Sequence, residues 1–545
     1  MKQNNNIVSG PLIDETKLEI SAAKFFFENV QKHGSKVAMI NAETGEEFTY
    51  EKIFNDSCKL ATYLKRLNLT TNDRVAVCSE NNLFYSILVL SNIFLGTTLC
   101  PLNPSYTKNE LMHIMLISKP KYIFATPSIA SRMQEVIQNL PWSPKLFLIY
   151  GNVSNSKIPN MQELISQVSS SELRAFKLPV VDVRNHVTFI FCSSGTTGLP
   201  KCVMLTDRNI LTYVYREEHD FIFLNKAQNE IRSILLVTPF FHGHGSFTMI
   251  FDTLIHGRKS ILLPEFEEHK FLRTIEKHKT HMLILVPPLL VLLAKSCNIE
   301  KYDLSSVKII MSGAAPLSYE TEVAVIKRFN NRIQIYCGYG MTEMTMNIMT
   351  TTKLTKPGSV GRLAPGVKGK VIPLENLESS ECLGRNQIGE LCFMGSTIMK
   401  GYCDDKKATA SLVDKDGWLH TGDVGYFDKD GYLYIVDRIK ELIKYKGFQV
   451  PPVELEAVLL TNPHVRDAAV VGLPDERAGE LPFAFIVKQP NSNLTKQEIT
   501  DFVNARVSIQ KHLRGGVQFV KEIPKTASGK IVRRKLRELL LRSKL

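Results

Sequence analysis

The chain has 545 residues, of which 44% are hydrophobic and 22% are charged, and its formal net charge is +13. This composition is ordinary for a soluble globular protein, and the length is too great for one hydrophobic core, so we expect at least two domains and three or four lobes. The ten cysteines contain no Cys-x-x-Cys pair. Their scatter indicates free thiols and argues against a disulfide framework or a zinc site.

The positive charge concentrates at the C-terminal end. From Glu441 onward the chain has 18 Lys and Arg against 11 Asp and Glu, and seven of the basic residues lie between Lys530 and Lys544, interleaved with Leu and Ile. Such an end could bind nucleic acid or a membrane surface. We favour a solvated helix face beside an anionic small molecule, and we expect no nucleic-acid partner.

The sequence offers one candidate targeting signal and no candidate membrane span. The first residues lack the apolar core of a signal peptide, and polar residues interrupt the apolar run Phe84 to Pro101. That run predicts a buried helix followed by a strand, so no transmembrane segment is expected. The last three residues, Ser543-Lys544-Leu545, match the peroxisomal address. A frayed terminus is the alternative, and we favour import through the peroxisomal receptor.

The first part of the chain alternates between helices and strands. Residues 1 to about 20 are polar, which predicts loose order. From Ala22 to about Val180, helical stretches separate short apolar runs such as Val75-Ala76-Val77-Cys78 and Lys121-Tyr122-Ile123-Phe124-Ala125. This alternation predicts parallel strands joined by helices.

A loop rich in glycine and hydroxyl residues follows the apolar run Val187 to Phe191, which predicts a buried strand. Such a loop turns tightly, points backbone N–H groups inward and adds hydroxyl donors and a lysine, which are the requirements of a polyphosphate cradle. It does not fit the Walker pattern. A flexible surface turn is the alternative. The residues expected to bind phosphate are Ser193, Ser194, Gly195, Thr196, Thr197, Gly198 and Lys201.

Strand-like runs continue after this loop, at 234–237, 260–263 and 282–286. In parallel sheets ligands bind at the carboxyl ends of strands, and His242 and His244 follow the first of these runs. A His-x-His pair could suggest a metal, but it lies beside glycines with no third ligand in view. We therefore expect both histidines to line a binding pocket.

Two further segments follow strands. After the run Ile309 to Ser312, the residues Gly313, Ala314, Ala315 and Pro316 predict a flat wall where an adenine or acyl chain approaches the backbone. About 20 residues later comes a second glycine-rich segment. In it, Tyr339 could stack on a purine, Thr342 could bond a phosphate and Glu343 could hold Mg²⁺. The expected binding residues there are Gly338, Tyr339, Gly340, Thr342 and Glu343.

The last segments mark the end of the large domain. Asp423 ends the segment Gly417 to Asp423, and its carboxylate could accept hydrogen bonds from both ribose hydroxyls. Arg438 offers a second, cationic donor to the sugar or the phosphate. Residues 432–436 predict a strand, and residues 437–440 predict a connection after it. We expect an N-terminal domain over 1–438, a hinge over 439–441 and a C-terminal domain over 442–545, with two strands, two helices and a Ser-Gly turn that carries Lys530.

These motifs, in this order, resemble those of the adenylate-forming enzymes, which include acyl-CoA synthetases, 4-coumarate–CoA ligases and beetle luciferases. The resemblance is densest from 187 to 530. It implies an α/β fold with a large N-terminal domain of parallel and mixed sheets, a β-barrel-like lobe and a small mobile α+β C-terminal domain. Two residues depart from the family pattern, since Cys202 replaces the usual Gly and Cys337 the usual Gln.

The resemblance also implies a reaction. A carboxylate attacks the α-phosphate of Mg·ATP, giving acyl-AMP and pyrophosphate, and the thiol of coenzyme A then displaces AMP. Lys530 would act in the first step, with Lys201 and with Mg²⁺ on Glu343. For the second step the small domain would turn about Lys440, so that Lys444 faces the site. His242 matches a histidine of the family's pocket.

The resemblance leaves a choice between a ligase and a luciferase, because both form an acyl-adenylate. Luciferases typically have Arg where His219 stands and a small Ser-Ala pair where Met346-Asn347 stands. In luciferases and insect acyl-CoA ligases alike, the position of His244 is more often aromatic. The missing arginine and the bulkier Met346 favour a fatty acyl-CoA ligase. A luciferase is the alternative, and a non-catalytic scaffold is the third hypothesis.

Overall fold

The computed structural model describes residues 6–154, 157–193, 199–216, 231–350, 356, 358–377, 381–526 and 529–542. In this part of the chain the strands form two seven-stranded sheets, a five-stranded sheet before residue 439, a five-stranded sheet after residue 441 and one two-stranded pair. The predicted α/β class with parallel and mixed sheets and a further C-terminal sheet is confirmed. None of the helices in these ranges is long and apolar enough to cross a membrane.

The first seven-stranded sheet contains the strands on both sides of the glycine-rich loop. In spatial order its strands are Gly401–Tyr402, Lys201–Thr206, Val187–Ser193, Thr98–Leu102, Arg74–Cys78, Tyr122–Ala125 and Lys145–Leu148. The last five are parallel, and the first two join antiparallel. The strands that the sequence predicts near 75–78 and 121–125 are therefore confirmed, and their nearly continuous apolar residues reflect burial on both faces.

The second seven-stranded sheet repeats this design. In spatial order its strands are Gln334–Cys337, Ile309–Ser312, Met282–Leu285, Ser233–Leu236, Lys259–Leu262, Val37–Asn41 and Glu47–Thr49. All neighbours are parallel except the last pair. The residues that follow these strands, including His242 and Gly313, consequently gather at one edge of the sheet.

Helices cover both sheets. Residues 207–216 are helical, and the other α-helices described before residue 439 are Ala22–Gln31, Tyr50–Arg66, Phe84–Leu95, Lys108–Ser118, Pro127–Gln138, Met161–Ser166, Ser170–Arg174, Gly243–Phe247, Glu268–His278, Pro287–Lys295, Tyr319–Arg328 and Lys406–Leu412. Short 3₁₀ turns span Glu15–Glu19, Ile299–Lys301 and Thr342–Met344, and a π-helical segment spans Thr248–Ile255. Phe84–Leu95 is buried on all sides in the largest core, as its mostly apolar sequence predicts, and its polar side chains Ser86, Ser91 and Asn92 donate to backbone carbonyls one turn earlier.

The five-stranded sheet before residue 439 is antiparallel. Its strands, in spatial order, are Val8–Ser9, Val367–Ile372, Gly389–Gly395, Leu419–Phe427 and Leu433–Arg438, and a separate pair joins Met349–Thr350 to Arg362–Leu363. The expectation that residues 1 to about 20 are loosely ordered is wrong for residues 8–20. Val8 pairs with Gly369, and Leu18 is fully buried, because single apolar residues within this polar stretch anchor it.

Residues 439–441 form a turn that leads into the last sheet. That sheet orders Phe448–Val450, Ile443–Tyr445, Gly479–Lys488 and Val465–Asp475, with Gly516–Phe519 parallel to Gly479–Lys488. Three helices pack beside it, Pro452–Leu460, Lys496–Asn504 and Arg533–Arg542, with a 3₁₀ turn at Ile509–Lys511. The expectation of two helices is therefore wrong by one. The division into domains at 439–441 stays a prediction.

Candidate active site

A cavity of about 1390 Å³ lies where the sheets meet the turn after Arg438. It collects most of the residues that the sequence singled out. Those in its wall are Ser193, Lys201, His242, His244, Gly313, Ala314, Gly338, Tyr339, Gly340, Thr342, Glu343, Met346, Asn347, Arg438, Lys440 and Lys530. Residues from segments more than 300 positions apart thus share one site.

Ser193 and Lys201, the two ends of the glycine-rich loop expected to bind phosphate (the phosphate loop), lie in this wall. Ser193 and Lys201 are partners across the antiparallel ladder that closes the loop, and Lys201 Nζ lies 4.6 Å from the centre of the Tyr402 ring. The predicted phosphate ligands Ser194, Gly195, Thr196, Thr197 and Gly198 lie outside the described residues, as does His219. Cys202, the departure from the family pattern, is buried in the ladder opposite Cys192.

Glu343 provides a buried carboxylate at the centre of the site. Its Oε1 accepts hydrogen bonds from Ser193 Oγ at 2.8 Å and from the Tyr402 hydroxyl at 2.9 Å. Burial and this carboxylate raise the pKa of Tyr402, so the phenol stays a donor. Buried carboxylate and hydroxyl oxygens are ligands that suit Mg²⁺ together with phosphate oxygens. The residues present therefore fit a magnesium–nucleotide group.

A second acidic centre lies at Asp423. Arg438 Nε is 2.8 Å from Asp423 Oδ1, and the Tyr339 hydroxyl donates to Asp423 Oδ2 at 2.7 Å. The ladder register pairs Asp423 with Arg438, which explains their contact. The expectation that residues 437–440 form the connection is therefore wrong for Asp437 and Arg438, which end the strand Leu433–Arg438. The attraction of Asp423 raises the pKa of Arg438, so this guanidinium in the cavity wall stays positively charged.

Lys530 reaches the cavity from the C-terminal part of the chain. Thr526 and Lys530 close its turn, since Thr526 N donates to Lys530 O at 2.8 Å. Gly529 has φ +79°, and a Cβ there would lie 3.2 Å from the side chains of Pro288 and Val286. Gly529 thus packs directly against the large part of the molecule. Burial lowers the pKa of Lys530, the charge of Arg438 lowers it further, and Asp423 and Glu343 oppose this shift.

Lys444 lies elsewhere. It is exposed on the strand Ile443–Tyr445, where it pairs with Gln449, and its backbone N donates to Glu480 Oε2 at 2.9 Å. Lys444 is not in the cavity wall, and neither are Ala315 and Pro316. The structure therefore brings Lys530, and not Lys444, to the site.

His242 and His244 also line the cavity. Burial, the charge of Lys530 and the neighbouring His244 lower the pKa of His242 to about 3, and burial lowers that of His244 to about 4. Both rings are therefore neutral at neutral pH. The Nε2 atom of His244 is buried without a hydrogen-bond partner among the described residues.

Met346 and Asn347 shape the same end of the cavity. Met346 has φ +72°, and its side chain lies so close to Gly243 that a Cβ there would be 1.9 Å from Met346 Cε. Asn347 packs against Gly338 in the same way, at 3.1 Å from Nδ2. The wall residues Tyr213, Met282, Ile284 and Met311 belong to the same hydrophobic cluster as Met346. This end of the cavity is suited to an apolar group.

Sequence reasoning did not identify Tyr402 as a site residue. It lies on a two-residue strand beside Lys201–Thr206, and its hydroxyl orients Glu343. No sequence pattern around Gly401-Tyr402 distinguishes it from a buried structural tyrosine. Only its pairing with the strand after the phosphate loop could have identified it.

Comparisons with known proteins agree with this geometry. Residues 26–403 match the AMP-binding enzyme family, and residues 454–530 match the AMP-binding enzyme C-terminal domain. The chain is 40% identical to luciferin 4-monooxygenase of Nipponoluciola cruciata (99% of this chain, 98% of that protein). It is 34% identical to probable 4-coumarate–CoA ligase 1 of Dictyostelium discoideum (94% of each).

The fold is likewise similar to a solved structure. ATP-bound MatB from Rhodopseudomonas palustris superposes with a TM-score of 0.83 at 26% identity, over 95% of this chain and 99% of that one. The sequence match covers more than half of the chain, and the fold and the relatives agree. The chain belongs to the AMP-binding enzyme family and is an adenylate-forming enzyme.

Proposed function

We propose that this enzyme is an acid–thiol ligase that joins a carboxylic acid, most simply a fatty acid, to coenzyme A. In the first step the acid's carboxylate attacks the α-phosphorus of ATP, and pyrophosphate leaves as acyl-AMP forms. In the second step the thiol of coenzyme A attacks the acyl carbonyl, loses its proton, and releases AMP. The observation that carries the proposal is the placement of Lys530 in one cavity with Glu343 and Arg438.

Positive charge around the reacting phosphate accounts for the first step. Lys530, Lys201 and Arg438 line the cavity, and their charges would stabilise the crowded anionic transition state. Glu343 would hold Mg²⁺, which neutralises phosphate charge when it is bound. The neutral ring of His242 adds no charge that competes with Lys530 for the phosphate.

The second step would need a different arrangement. Lys444 is exposed outside the cavity, on the part of the chain that follows the turn 439–441. We infer that this part rotates about Lys440 after adenylation, which would withdraw Lys530 and bring Lys444 to the site. A change of this kind would also make room for the thiol of coenzyme A.

The apolar end of the cavity supports a fatty acid as the acyl substrate. Met346 narrows this end, and its neighbours Met282, Ile284 and Met311 offer no charge to a substrate. Luciferase activity is the second candidate, and the 40% identity to a luciferin 4-monooxygenase favours it. The bulk of Met346 beside Gly243 argues against the luciferase hypothesis.

One experiment distinguishes these activities. AMP release from the purified enzyme would be measured with and without coenzyme A, over fatty acids of increasing length, 4-coumarate and luciferin, with light recorded in parallel. We expect release that depends on coenzyme A with fatty acids and negligible light. Strong light with luciferin and little dependence on coenzyme A would refute the ligase proposal.

We also propose that the enzyme is imported into peroxisomes through Ser543-Lys544-Leu545, which lies outside the described residues. The proposal rests on the tripeptide alone. A fluorescent protein fused to the N-terminus of the full chain should colocalise with a peroxisomal marker. Removal of the last three residues should disperse it, and unchanged localisation would contradict the proposal.

A further inference from the structure

Three side chains of metal-binding type meet on the five-stranded sheet that precedes residue 439. Cys392 and His420 lie on neighbouring strands and are ladder partners, and Glu390 lies two residues before Cys392. One ligand atom from each of the three lies within 4.8 Å of the other two. Glu390 and Cys392 are buried, and His420 is half-buried. The cluster is distinct from the proposed magnesium ligand Glu343.

The distances suit a tetrahedral ion. His420 Nδ1 lies 3.6 Å from Cys392 Sγ and 3.0 Å from Glu390 Oε2. Zinc bonds of the usual lengths place tetrahedral nitrogen and sulfur ligands roughly 3.6 Å apart, and nitrogen and oxygen ligands roughly 3.3 Å apart. The nitrogen–sulfur distance already matches, and Glu390 would need to move by a few tenths of an ångström. Cysteine, histidine and carboxylate together are a ligand set that zinc accepts.

The surrounding groups orient these ligands. Asp414 Oδ2 is 3.6 Å from His420 Nε2, at ion-pair distance, and the backbone N–H groups of Asp416 and Trp418 hold Asp414 Oδ1. A carboxylate facing the outer ring nitrogen is typical of metal-bound histidines, because it turns the other nitrogen towards the ion. Glu390 is fixed in a similar way, since Gly422 N donates to its Oε1 at 3.0 Å.

The cluster is also accessible from the cavity. Glu390, His420 and Asp414 all contribute to its wall. An ion could therefore enter through the cavity and keep one coordination position open to it. Sites with three protein ligands and one open position are typical of exchangeable or catalytic zinc.

We propose that Glu390, Cys392 and His420 bind one zinc-class divalent cation, with the fourth position open to the cavity. On binding, the thiol proton of Cys392 and the Nδ1 proton of His420 leave to solvent as Sγ and Nδ1 bond the metal. The ring keeps its Nε2 proton, which faces Asp414, and no electron is transferred. The scatter of the cysteines argued against a zinc site, because no sequence motif links Cys392 to His420. The two residues are 28 positions apart, and the strand ladder brings them together.

The test uses the full chain, freed of metal by a chelator and dialysed against zinc ion in the absence of nucleotide. Bound zinc per chain is then measured by elemental analysis. We expect one zinc in the wild type, loss of this zinc in Cys392→Ser, and full retention in Cys58→Ser. The last variant is the matched control, because Cys58 is a buried cysteine on the helix Tyr50–Arg66 and does not line the cavity.

Two further measurements keep the test decisive if Cys392→Ser fails to fold. Cobalt bound to the wild type should show the ultraviolet charge-transfer band of a cobalt–thiolate bond. Asp414→Asn should weaken zinc binding about tenfold, the usual effect of removing a carboxylate partner of a ligating histidine. No stoichiometric zinc in the wild type, or no thiolate band with cobalt, would refute the site and leave the cluster as a hydrogen-bonded group around a protonated His420.

Discussion

Lys295 donates a 2.5 Å hydrogen bond from Nζ to the backbone carbonyl of Val465, which joins the helix Pro287–Lys295 to the sheet that follows residue 441. Gly529, one residue before Lys530, packs at the other end of the same helix against Pro288. The two contacts hold the C-terminal part in the orientation that places Lys530 in the cavity. Under the proposed function, this is the orientation in which acyl-AMP forms.

Replacing Lys295 with Met should destabilise the docking of the C-terminal part that places Lys530 in the cavity. The variant loses a hydrogen bond from a charged donor and leaves the Val465 carbonyl unpaired, at a cost of about 1.5 kcal/mol. We expect acyl-AMP formation to slow about tenfold, while thioester formation from supplied acyl-AMP stays unchanged. Rapid-mixing measurements of the two half-reactions check this. Lys301→Met is the control, since Lys301 is exposed nearby, and equal slowing of both half-reactions would contradict the assignment.

The same lysine predicts a pH dependence. Burial lowers the pKa of Lys295 to about 8, from an ordinary value of 10.5. Between pH 8 and 10.5, Lys295 is therefore neutral when the C-terminal part is docked against the helix Pro287–Lys295 and protonated when it is undocked. Because the docked state binds fewer protons, raising the pH through this range favours docking. The neutral amine still donates to Val465. We expect the wild type, but not Lys295→Met, to gain adenylation rate relative to thioester formation from pH 8 to 9.5, and identical profiles would refute the prediction.

Tyr402→Phe tests the orientation of Glu343. The change removes the 2.9 Å hydrogen bond to the carboxylate and leaves the ring in place beside Lys201. A buried bond to a charged group contributes about 1.5–3 kcal/mol, so we expect kcat/KM for ATP to fall at least about tenfold. Tyr426→Phe is the control, because Tyr426 stacks on Tyr434 away from Glu343. Unchanged kinetics in Tyr402→Phe would show that Glu343 is positioned without it.

The buried histidines predict acid sensitivity. The pKa values of His242 and His244 are about 3 and 4 in the folded protein, below the ordinary 6.5. Because the unfolded chain binds protons first as the pH falls, each histidine should lower the free energy of unfolding by about 2 kcal/mol between pH 7 and 5. Between pH 7 and 5, the free energy of unfolding measured by denaturant titration should fall by about 2 kcal/mol less in His244→Phe than in the wild type. An equal loss would mean that His244 titrates normally.

Two glycines beside Met346 should respond differently to alanine. A Cβ on Gly340 would lie 1.5 Å from the Met346 carbonyl oxygen, which cannot move without the backbone, whereas a Cβ on Gly243 meets only the end of the flexible Met346 side chain. We expect Gly340→Ala to lower the free energy of unfolding by about 3 kcal/mol or more. Gly243→Ala should lower the free energy of unfolding by less than about 1.5 kcal/mol. It should change the KM for the acid but not the KM for ATP. Thermal unfolding and kinetics check both, and similar destabilisation of the two variants would contradict the assignment.

Sequence patterns predicted the sheets well because the strands are buried on both faces. Runs such as Met282–Leu285 are continuously apolar, and only a strand of a covered parallel sheet or a buried helix requires that. Polar sequence was a poorer guide. Val8 and Leu18 anchor the N-terminal stretch although most of their neighbours are polar, because one or two buried apolar residues suffice to fix a segment.

The site was predicted as a set of residues but not as a set of contacts. Tyr339 was expected to stack on a purine, and the structure gives its hydroxyl a further partner, Asp423. The contact of Asp423 with Arg438 depends on ladder register, which no local motif encodes. The contacts of Tyr402 with Glu343 and of Lys295 with Val465 join segments 59 and 170 residues apart. Such contacts depend on the packing of whole sheets and helices.

The most direct test of the central claim is the rate of each half-reaction in Lys530→Ala, with Lys535→Ala, an exposed lysine of the last helix, as the control. Loss of one charged donor from a preorganised site typically costs about 10²–10³ in rate. We expect acyl-AMP formation to fall by that factor in Lys530→Ala, while thioester formation from supplied acyl-AMP and the folded structure are retained. Unchanged acyl-AMP formation in a folded Lys530→Ala protein would contradict the account.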